Sequence, residues 1–362
     1  MNDHPPTVLI TGGAGFIGSN LVMHLLRDTD WHVVNLDALT YAGNLEGWGG
    51  FLTHPRHHFV KGNLTDAALL QHLLQSHQPQ AVMHLAAESH VDRSIDGPAV
   101  FVQTNVCGTA VLLEKCLHYW QNLPAPAKHA FRLLHLSTDE VHGSLGPQDA
   151  PFCESTSYAP RSPYSATKAA ADHLVRAWHH TYGFPSIVAN ASNNYGPRQF
   201  PEKLIPLAIV KLLQGEPIPL YGDGSQIRDW LHVSDHCHAL TKILTHGQTG
   251  DTYLIGTGVE TTNRSLLLLL CELMDEMRPR RDGLSHAAAI SPVSDRPGHD
   301  HRYAIDASHL RRSLSWQPRI DLRSGLCETI AWYLSHPGWW QAILGHRYNM
   351  ERLGTSGSPR AQ

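Results

Sequence analysis

The feature that most constrains the fold of this chain is a glycine-rich turn between a short strand and an amphipathic helix. The stretch TVLITGGAGFIGSNLVMHLLRD begins with β-branched residues, passes through Gly12, Gly15 and Gly18, and continues with apolar residues at helical spacing. Glycine permits the tight turn and lets backbone N–H groups at the helix N-terminus approach a pyrophosphate. The pattern therefore predicts a dinucleotide-binding turn, with a plain tight turn as the alternative.

Strand-like and helix-like segments alternate at the spacing of βαβ units as far as about residue 197. Such alternation predicts an α/β fold with a Rossmann-type, doubly wound parallel sheet. Beyond that point Pro, Gly and polar residues become more frequent, as in GEPIPLYGDGSQIRDW, and long connections of this kind usually carry function. We expect a Rossmann domain at 1–197 whose sheet interleaves with later elements, a smaller substrate-binding domain at 198–345, and a flexible tail at 346–362.

Composition argues against several classes of function. The 362 residues carry a net charge of −4, which gives no electrostatic basis for binding nucleic acid or an anionic membrane. The six cysteines are scattered without a CxxC pair, so we expect reduced thiols in a cytoplasmic enzyme, and we see no signal peptide and no membrane-length apolar run. The 27 histidines include HH and HCH runs but no HExxH frame, so we expect no metal.

Asp37 is placed to select the cofactor. It ends the second predicted strand, about twenty residues after the glycine turn, where a carboxylate accepts hydrogen bonds from the adenosine ribose hydroxyls. A carboxylate at this point repels the 2′-phosphate of NADP, and the surrounding NLDALTYAG contains no basic side chain. The sequence therefore predicts NAD.

The motif YSATK sets Tyr164 and Lys168 four residues apart, on one face of a predicted helix. A neighbouring ammonium eases the deprotonation of a phenol, so that the tyrosine can act as a base near neutral pH, and the same lysine can hold the nicotinamide ribose. A Tyr–Lys pair is also common on exposed helix surfaces. Because it follows a glycine turn and an acidic strand end, we favour the catalytic interpretation.

The stretch STDEVHGS sets Asp139 and Glu140 side by side, directly after the apolar run FRLLHL. Adjacent carboxylates repel each other and gain nothing structurally from being neighbours. At a strand end both can face one cavity, where burial and mutual repulsion separate a protonated acid from an ionised base. The pair therefore indicates acid–base chemistry.

These motifs together resemble the extended short-chain dehydrogenase/reductases and, within them, the dTDP-glucose 4,6-dehydratase family. The resemblance extends to about residue 335 and includes LITGGAGFIGSN, HLAAESHVDRSI, SPYSATKAAADHLVRAW and YGDGSQIRDWLHV. The glycine turn and YxxxK are common to the superfamily, whereas STDE, FPEKLIPL and DRPGHDHRY are much more specific to the dehydratases.

The resemblance implies a three-stage reaction with tightly bound NAD. Tyr164 removes the C4 hydroxyl proton of glucose while NAD takes the C4 hydride, and Thr138 hydrogen-bonds the C4 oxygen. Glu140 then removes the C5 proton while Asp139 protonates the departing C6 hydroxyl. The hydride returns to C6 and a proton is replaced at C5, which gives the 4-keto-6-deoxy sugar nucleotide.

Other roles are implied only by matching positions, and the implied substrate is dTDP-glucose, held mainly by residues 198–345. The implied cofactor-binding residues are Gly12, Gly15, Phe16, Ile17, Gly18, Asp37, Leu39, Thr40, Asn63, Leu64, Leu85, Ala86, Ser89, Thr104, Tyr164, Lys168 and Asn194. The implied substrate-binding residues are Ser89, Thr138, Asn193, Glu202, Lys203, Leu204, Pro219, Tyr221, Arg228, Asn263, Arg296 and His299. The basic members suit a diphosphate, and an aromatic ring suits a nucleobase.

The chain departs from the family pattern at three positions. His142 stands where Tyr usually follows STDEV, Asn63 replaces an Asp near the adenine, and Arg198 stands where an aromatic residue is often found. None of the three is a catalytic residue, so the reaction class is better supported than the substrate.

Three alternatives stay open. One is a dehydratase for another nucleotide sugar. A second is a UDP-sugar 4-epimerase, which needs the Tyr–Lys pair but not the acidic pair, and a third is a silent NAD-binding protein, which has little reason to keep either. The resemblance also implies a homodimer with a four-helix interface, formed by the YxxxK helix and the helix VQTNVCGTAVLLEKCLHYW.

Overall fold

A computed structural model describes residues 5–295, 299–346, 348 and 350. The strands are β1 (Thr7–Thr11), β2 (His32–Asp37), β3 (His57–Lys61), β4 (Ala81–His84), β5 (Arg132–Thr138), β6 (Ser186–Ala191), β7 (Asn193–Tyr195), β8 (Ile218–Tyr221), β9 (Ile227–His232), β10 (Thr252–Ile255), β11 (Glu260–Thr262) and β12 (Ile290–Val293).

The helices alternate with these strands through the first half of the chain. They are α1 (Phe16–Asp28), α2 (Ala67–His77), α3 (Val91–Asp96), α4 (Pro98–Phe101), α5 (Thr109–Gln121), α6 (Ala125–Ala130), α7 (Pro163–Tyr182), α8 (Leu204–Gln214), α9 (Val233–His246), α10 (Asn263–Met277), α11 (Ser308–Leu314), α12 (Leu322–Ser335) and α13 (Pro337–His346). A π-helical stretch, Val102–Gly108, joins α4 to α5.

The central sheet has seven strands in the order β3-β2-β1-β4-β5-β6-β10, all parallel. Every residue of β4 and β6 is buried, because helices cover both faces of the sheet and its inner strands need apolar or small side chains on each side. The predicted Rossmann-type fold is confirmed. The strand order reverses between β1 and β4, and doubly wound sheets bind ligands at such a switch point.

Two apolar layers hold the sheet. Helices α1 and α9 pack on one face through residues such as Leu21 and Ile243, and α2, α5 and α7 pack on the other through residues such as Leu112 and Val175. Both α9 and β10 come from the chain beyond residue 197. The later segment thus contributes a strand and a helix to the main sheet, in addition to its own elements.

A second core lies beside the carboxyl ends of the strands. Helices α8, α10, α12 and α13 bury Ile209, Leu270, Ile330 and Trp340 together. The small sheets β11-β9-β7 and β12-β8 border this core. Of the predicted tail, Tyr348 packs on this cluster, and the residues after 350 lie outside the part of the chain that is described.

Among the described residues, Pro98–Gln121 is the one helical stretch whose length and apolar composition would allow it to cross a membrane. Its buried side chains, including Leu112, Leu113 and Cys116, belong to the core under the sheet. Core helices of globular proteins meet the same criterion, so length and composition alone are weak evidence for a membrane span.

Candidate active site

A cavity of about 570 Å³ opens at the carboxyl ends of the sheet strands, where β5 ends and the chain passes from β6 to β7. The cavity lies between the main sheet and the second core. The predicted site residues that line it are Phe16, Ile17, Ser89, Thr138, Asp139, Glu140, Tyr164, Asn193, Asn194, Glu202, Lys203, Leu204, Pro219, Tyr221, Arg228, Asn263 and His299. Most of the predicted catalytic and substrate-binding residues, far apart in sequence, thus share one cavity.

Tyr164 enters this cavity from the first turn of α7. The helix begins with a capping box between Ser162 and Ser165, which fixes the direction of its first turn. Burial and the nearby carboxylate of Glu140 raise the pKa of Tyr164, while a hydrogen bond with the Thr138 side chain lowers it. The phenol is therefore protonated at neutral pH and lies beside the Thr138 hydroxyl.

Lys168 lies one helical turn beyond Tyr164 and is buried behind the cavity wall. Its Nζ donates to the carbonyl oxygen of Leu136 at 2.7 Å, in the strand that leads to the acidic pair. Burial lowers the pKa of Lys168 to about 8, and the carboxylate of Asp172 opposes this shift. The lysine therefore titrates close to physiological pH.

Asp139 and Glu140 begin a 3₁₀ turn, Asp139–His142, at the end of β5. Thr138 Oγ1 accepts the backbone N–H of Glu140 at 3.3 Å, and this cap ends the strand so that both acids line the cavity. Burial raises the pKa of Asp139 well above its usual range, and the charges of Glu140 and Asp229 add to the effect. Asp139 is therefore the protonated member of the pair, which is the state a general acid needs.

The glycine turn leaves an open surface at the start of α1. Gly12 has φ +75°, and a Cβ added to it would lie 2.6 Å from the backbone of Ala86, so only glycine fits there. A Cβ added to Gly15 would meet only the carbonyl oxygen of Gly12, at 3.4 Å, and α1 begins after Gly15 without a side-chain cap. Uncapped helix N–H groups beside an open glycine fit a pyrophosphate.

Asp37 is fixed beside this turn. Its Oδ2 accepts the backbone N–H of Ala14 at 2.9 Å and its Oδ1 accepts that of Leu39 at 2.7 Å. Burial raises the pKa of Asp37, and these two hydrogen bonds oppose the shift. A carboxylate held at the end of β2, next to a pyrophosphate cradle, fits the ribose of NAD.

The remaining predicted cofactor positions do not line the cavity. Leu85 and Ala86 follow β4, and both of their backbone N–H groups donate to Thr11. Thr104 is half-buried in the π-helical stretch, a type of distortion that is frequent at functional sites. Positions outside the lining are Gly12, Gly15, Gly18, Asp37, Leu39, Thr40, Asn63, Leu64, Leu85, Ala86, Thr104 and Lys168.

The three departures from the family pattern lie away from the reacting groups. His142 stacks on Phe152 behind the acidic pair, with ring centroids 5.0 Å apart. Asn63 is exposed after β3, and its Oδ1 accepts two hydrogen bonds from Thr65. Arg198 donates to a loop carbonyl at 3.1 Å, outside the cavity lining.

Two amide side chains on the far wall have open acceptors. Asn193 lies on β7 and Asn263 begins α10, and both line the cavity. Their buried Oδ1 atoms have no hydrogen-bond partner among the described residues. Buried amide oxygens are normally paired, so these two mark polar positions that a ligand can satisfy.

Other predicted substrate residues are partly engaged by the protein itself. The guanidinium of Arg228 donates to three backbone carbonyls, of Ile227, Asp300 and His301, at 2.7–3.3 Å. The side chain of His299 contacts Asp295 at 2.6 Å. Arg296, which the resemblance assigns to the substrate, lies outside the described residues.

Glu202 lines the cavity, but both of its carboxylate oxygens already have donors. Tyr41 donates to Oε1 at 2.9 Å and Arg93 donates to Oε2 at 2.8 Å, while the guanidinium of Arg93 lies 3.9 Å from the centre of the Tyr41 ring. This cluster joins the loop after β2 to α3 and to the start of α8. These hydrogen bonds connect the loop after β2 to the cavity-lining residue Glu202.

Sequence reasoning missed several lining residues, among them His90, Gln199, Trp230 and Tyr348. His90 and Trp230 lie in segments that the resemblance includes, but neither was assigned a role, and the tertiary fold brings all four residues to the cavity. It also missed Asn105, whose buried amide bonds both backbone groups of Glu88 and connects the π-helical stretch to the loop after β4.

The chain combines a parallel sheet with a glycine turn at an uncapped helix start, and a Tyr–Lys helix beside an acidic strand end. These features define an extended short-chain dehydrogenase/reductase. The family described as GDP-mannose 4,6 dehydratase matches residues 9–329. The dTDP-glucose 4,6-dehydratase of Xanthomonas campestris pv. campestris strain B100 is 54% identical over 350 residues, which cover 97% of this chain and 99% of the relative.

Two further matches agree with that relative. The dTDP-glucose 4,6-dehydratase of Neisseria meningitidis serogroup B is 52% identical over 96% of this chain and 99% of its own length. A crystal structure of a dTDP-glucose 4,6-dehydratase from Streptomyces venezuelae, with NAD and TYD bound, has a TM-score of 0.85 at 41% identity and covers 93% of this chain and 99% of its own. The chain belongs to the dTDP-glucose 4,6-dehydratase family.

Proposed function

We propose that this protein converts dTDP-glucose to dTDP-4-keto-6-deoxyglucose with tightly bound NAD. The observation that carries the proposal is the position of Asp139 and Glu140 on the same cavity as Tyr164. Oxidation alone needs only the tyrosine and lysine, whereas elimination of water needs an acid and a base as well. The bound NAD supplies a reversible hydride acceptor, so no cofactor is consumed overall.

The side chains of the protein perform the proton transfers. Burial raises the pKa of Tyr164, and the Lys168 ammonium together with the positive charge of oxidised NAD would favour its ionised form. In that form Tyr164 takes the proton of the C4 hydroxyl, with the Thr138 hydroxyl beside the same oxygen. The C4 ketone acidifies the C5 proton, which Glu140 removes. Asp139, kept neutral by burial, protonates the C6 hydroxyl as it leaves.

The cofactor and the nucleotide have separate places in this proposal. Gly12, Gly15 and Gly18 would hold the pyrophosphate of NAD, Asp37 would hold its adenosine ribose, and Lys168 would hold its nicotinamide ribose. The amides of Asn193 and Asn263 are available to the nucleotide sugar because their Oδ1 atoms are open. Residues 1–197 would then form the NAD-binding domain and residues 198–345 mainly the nucleotide-sugar-binding domain.

Another nucleotide sugar is the second candidate, because the matching family is described by GDP-mannose while the similar relatives act, by their names, on dTDP-glucose. The test is to incubate the purified protein with dTDP-, UDP- and GDP-glucose and to measure the 4-keto-6-deoxy product. We expect product with dTDP-glucose. Product only with another nucleotide would correct the substrate, and a 4-epimer without loss of water would overturn the proposed reaction.

We infer that the protein works as a cytoplasmic homodimer. The helix Pro98–Gln121 carries Val100 and Val102 at 50% and 47% exposure. Apolar side chains exposed close together on one helix suit burial against a second copy. Light scattering of the parent should give twice the mass of one chain, and Val100→Asp/Val102→Asp should lower it. A parent at the mass of one chain would contradict the dimer.

A further inference from the structure

Asp172 is a fully buried carboxylate on α7, two helical turns beyond Tyr164, that none of the roles above uses. His135 Nε2 lies 3.0 Å from its Oδ1. Ser137 Oγ, Tyr158 Oη and Asn190 Nδ2 donate to its Oδ2 at 2.8, 2.7 and 3.2 Å. So many donors around one buried carboxylate are the environment of an ionised acid.

These donors attach α7 to the strand that carries the acidic pair. His135 and Ser137 belong to β5, immediately before Thr138. Asn190 lies on the neighbouring β6, and its Nδ2 also donates to the carbonyl oxygen of Thr138 at 3.0 Å. The carboxylate thus fixes the helix of the base and the lysine in register with the strand end that carries the acid pair.

The same carboxylate faces a buried cation. Lys168 lies one helical turn before Asp172, and burial lowers the pKa of the lysine to about 8 while Asp172 opposes the shift. Burial alone would raise the pKa of Asp172, but the hydrogen bond from His135, the charge of Lys168 and the hydrogen bond from Tyr158 hold it below its usual value. The other ionisable groups around this pair are His84, His135, Asp139, Glu140, His142, Tyr158, Tyr164, His173 and Arg176.

Most of these groups do not supply a compensating negative charge. Burial lowers the pKa of His135 to about 4, so its ring is neutral, and burial also lowers the pKa of His84. Arg176 is a second cation, and it donates to the Tyr158 hydroxyl at 2.7 Å. Removing the charge of Asp172 would therefore leave Lys168 buried without its closest counter-ion.

We propose that Asp172 is a positioning residue for the reaction, one that keeps Lys168 protonated and holds Tyr164 in register with the acidic strand end. This inference rests on the proposed function. We call the pH above which the oxidation rate falls the alkaline limit of this step. Loss of an opposite charge one helical turn away lowers a lysine pKa by about one unit or more, so the alkaline limit should fall when the charge of Asp172 is removed.

The experiment follows the burst of absorbance at 340 nm after mixing with dTDP-glucose, from pH 6 to 9.5. This burst reports oxidation before water leaves, so the titration of Asp139 enters it least. Asp172→Asn removes the negative charge. Asp172→Glu keeps the charge but moves the carboxylate by one methylene group. Tyr158→Phe removes one hydrogen bond to the Asp172 carboxylate. Thermal unfolding and NAD content of each purified variant are measured alongside.

Asp172→Asn should lose about fivefold in burst rate at pH 8 and close to tenfold at pH 9.5, recover most of it at pH 6, and move the alkaline limit down by about one unit. Tyr158→Phe should keep the limit of the parent, and Asp172→Glu should keep it at a reduced rate. An unmoved limit in Asp172→Asn, or an equal loss at every pH, would overturn the inference. If that variant does not fold, a limit in Asp172→Glu displaced by a unit would overturn it instead.

The two proposals fail differently. A parent that does not oxidise dTDP-glucose contradicts the proposed function, and the pH comparison then uses whichever nucleotide sugar gives a burst. A parent that turns over dTDP-glucose, with an unmoved limit in Asp172→Asn, contradicts only the role of Asp172.

Discussion

The two sides of the cavity differ in how far the protein satisfies its own polar groups. On the catalytic side, the Lys168 ammonium, the Asp172 carboxylate and the Thr138 carbonyl all have short hydrogen bonds within the chain. On the substrate side, Asn193 and Asn263 have open amide oxygens among the described residues. The comparison indicates that the reacting groups are pre-organised, whereas the substrate wall completes its hydrogen bonding with the ligand.

Asp139 is one of the exceptions on the catalytic side, beside His135 Nδ1 and Asn190 Oδ1, which also have no hydrogen-bond partner among the described residues. It gives the largest expected effect. Its Oδ2 is buried without a hydrogen-bond partner among the described residues, as expected of an acid that meets a substrate hydroxyl. Replacing the pair in Asp139→Asn/Glu140→Gln should lower product formation by about 10²–10⁴-fold, which is the usual contribution of general acid–base catalysis. The measurement is turnover of dTDP-glucose to the 4-keto-6-deoxy product.

The same double variant should retain NAD and should still show the absorbance burst at 340 nm, because Tyr164 and Lys168 are unchanged. Loss of the burst together with turnover would mean that the acidic pair shapes the whole catalytic side. Turnover equal to that of the parent would remove the pair from the mechanism.

The variant Glu202→Gln tests whether this lining residue binds the substrate or stabilises the fold. Because both of its oxygens are taken by Tyr41 and Arg93, we expect Glu202→Gln to destabilise the fold by about 2–3 kcal/mol, below the range for fully buried pairs since the Arg93 side chain is 28% exposed. Thermal and urea unfolding measure this change. The control is Arg323→Gln, which breaks exposed surface pairs and should leave the unfolding transition close to that of the parent.

If instead Glu202→Gln raises the KM for dTDP-glucose and leaves stability unchanged, the carboxylate is a substrate ligand, as the resemblance implied. A fall in stability with an unchanged KM would place Glu202 in the framework that joins the two sides.

Gly15 tests the cofactor cradle without disturbing the fold. A methyl group at Gly15 meets only one backbone atom, at 3.4 Å, and projects into the surface proposed for the pyrophosphate. We expect Gly15→Ala to fold normally and to weaken NAD binding by about 1–3 kcal/mol, the usual cost of overpacking. NAD content after purification and titration of the stripped protein measure the effect.

Gly18→Ala serves as the contrasting variant. A Cβ at Gly18 would lie 2.1 Å from the carbonyl oxygen of Gly12, so this substitution should damage the fold as well as NAD binding. Equal behaviour of the two variants would show that the open face of Gly15 has no special relation to the cofactor.

The catalytic side could be predicted from the sequence because its residues lie in two short segments. Tyr164 and Lys168 share one helix face, and Asp139 and Glu140 follow one apolar strand, so local periodicity already brings each pair together. Asp172 continues the same helical spacing by one more turn. Its role did not follow from sequence, because its donors come from β5, β6 and a loop.

The substrate side could not be predicted from local patterns. PSIVANASNNYG looks like one strand, but the structure divides it into β6 in the main sheet and β7 in a small sheet, which turns Asn193 towards the cavity. Asn263 and His299 arrive from segments far along the chain. Only the resemblance to a family indicated them, because no periodicity connects residues that meet through loops.

The open amide of Asn263 gives the smallest and most specific test of the comparison. Asn263→Ala removes one neutral hydrogen-bonding group, so we expect the KM for dTDP-glucose to rise about fivefold, equivalent to about 1 kcal/mol, with little change in kcat. The control Asn122→Ala removes an exposed amide that bonds only the carbonyl of His118 and should leave KM unchanged. A change in kcat with constant KM would place Asn263 with the reacting groups, and the division between a self-satisfied catalytic side and an open substrate wall would then fail.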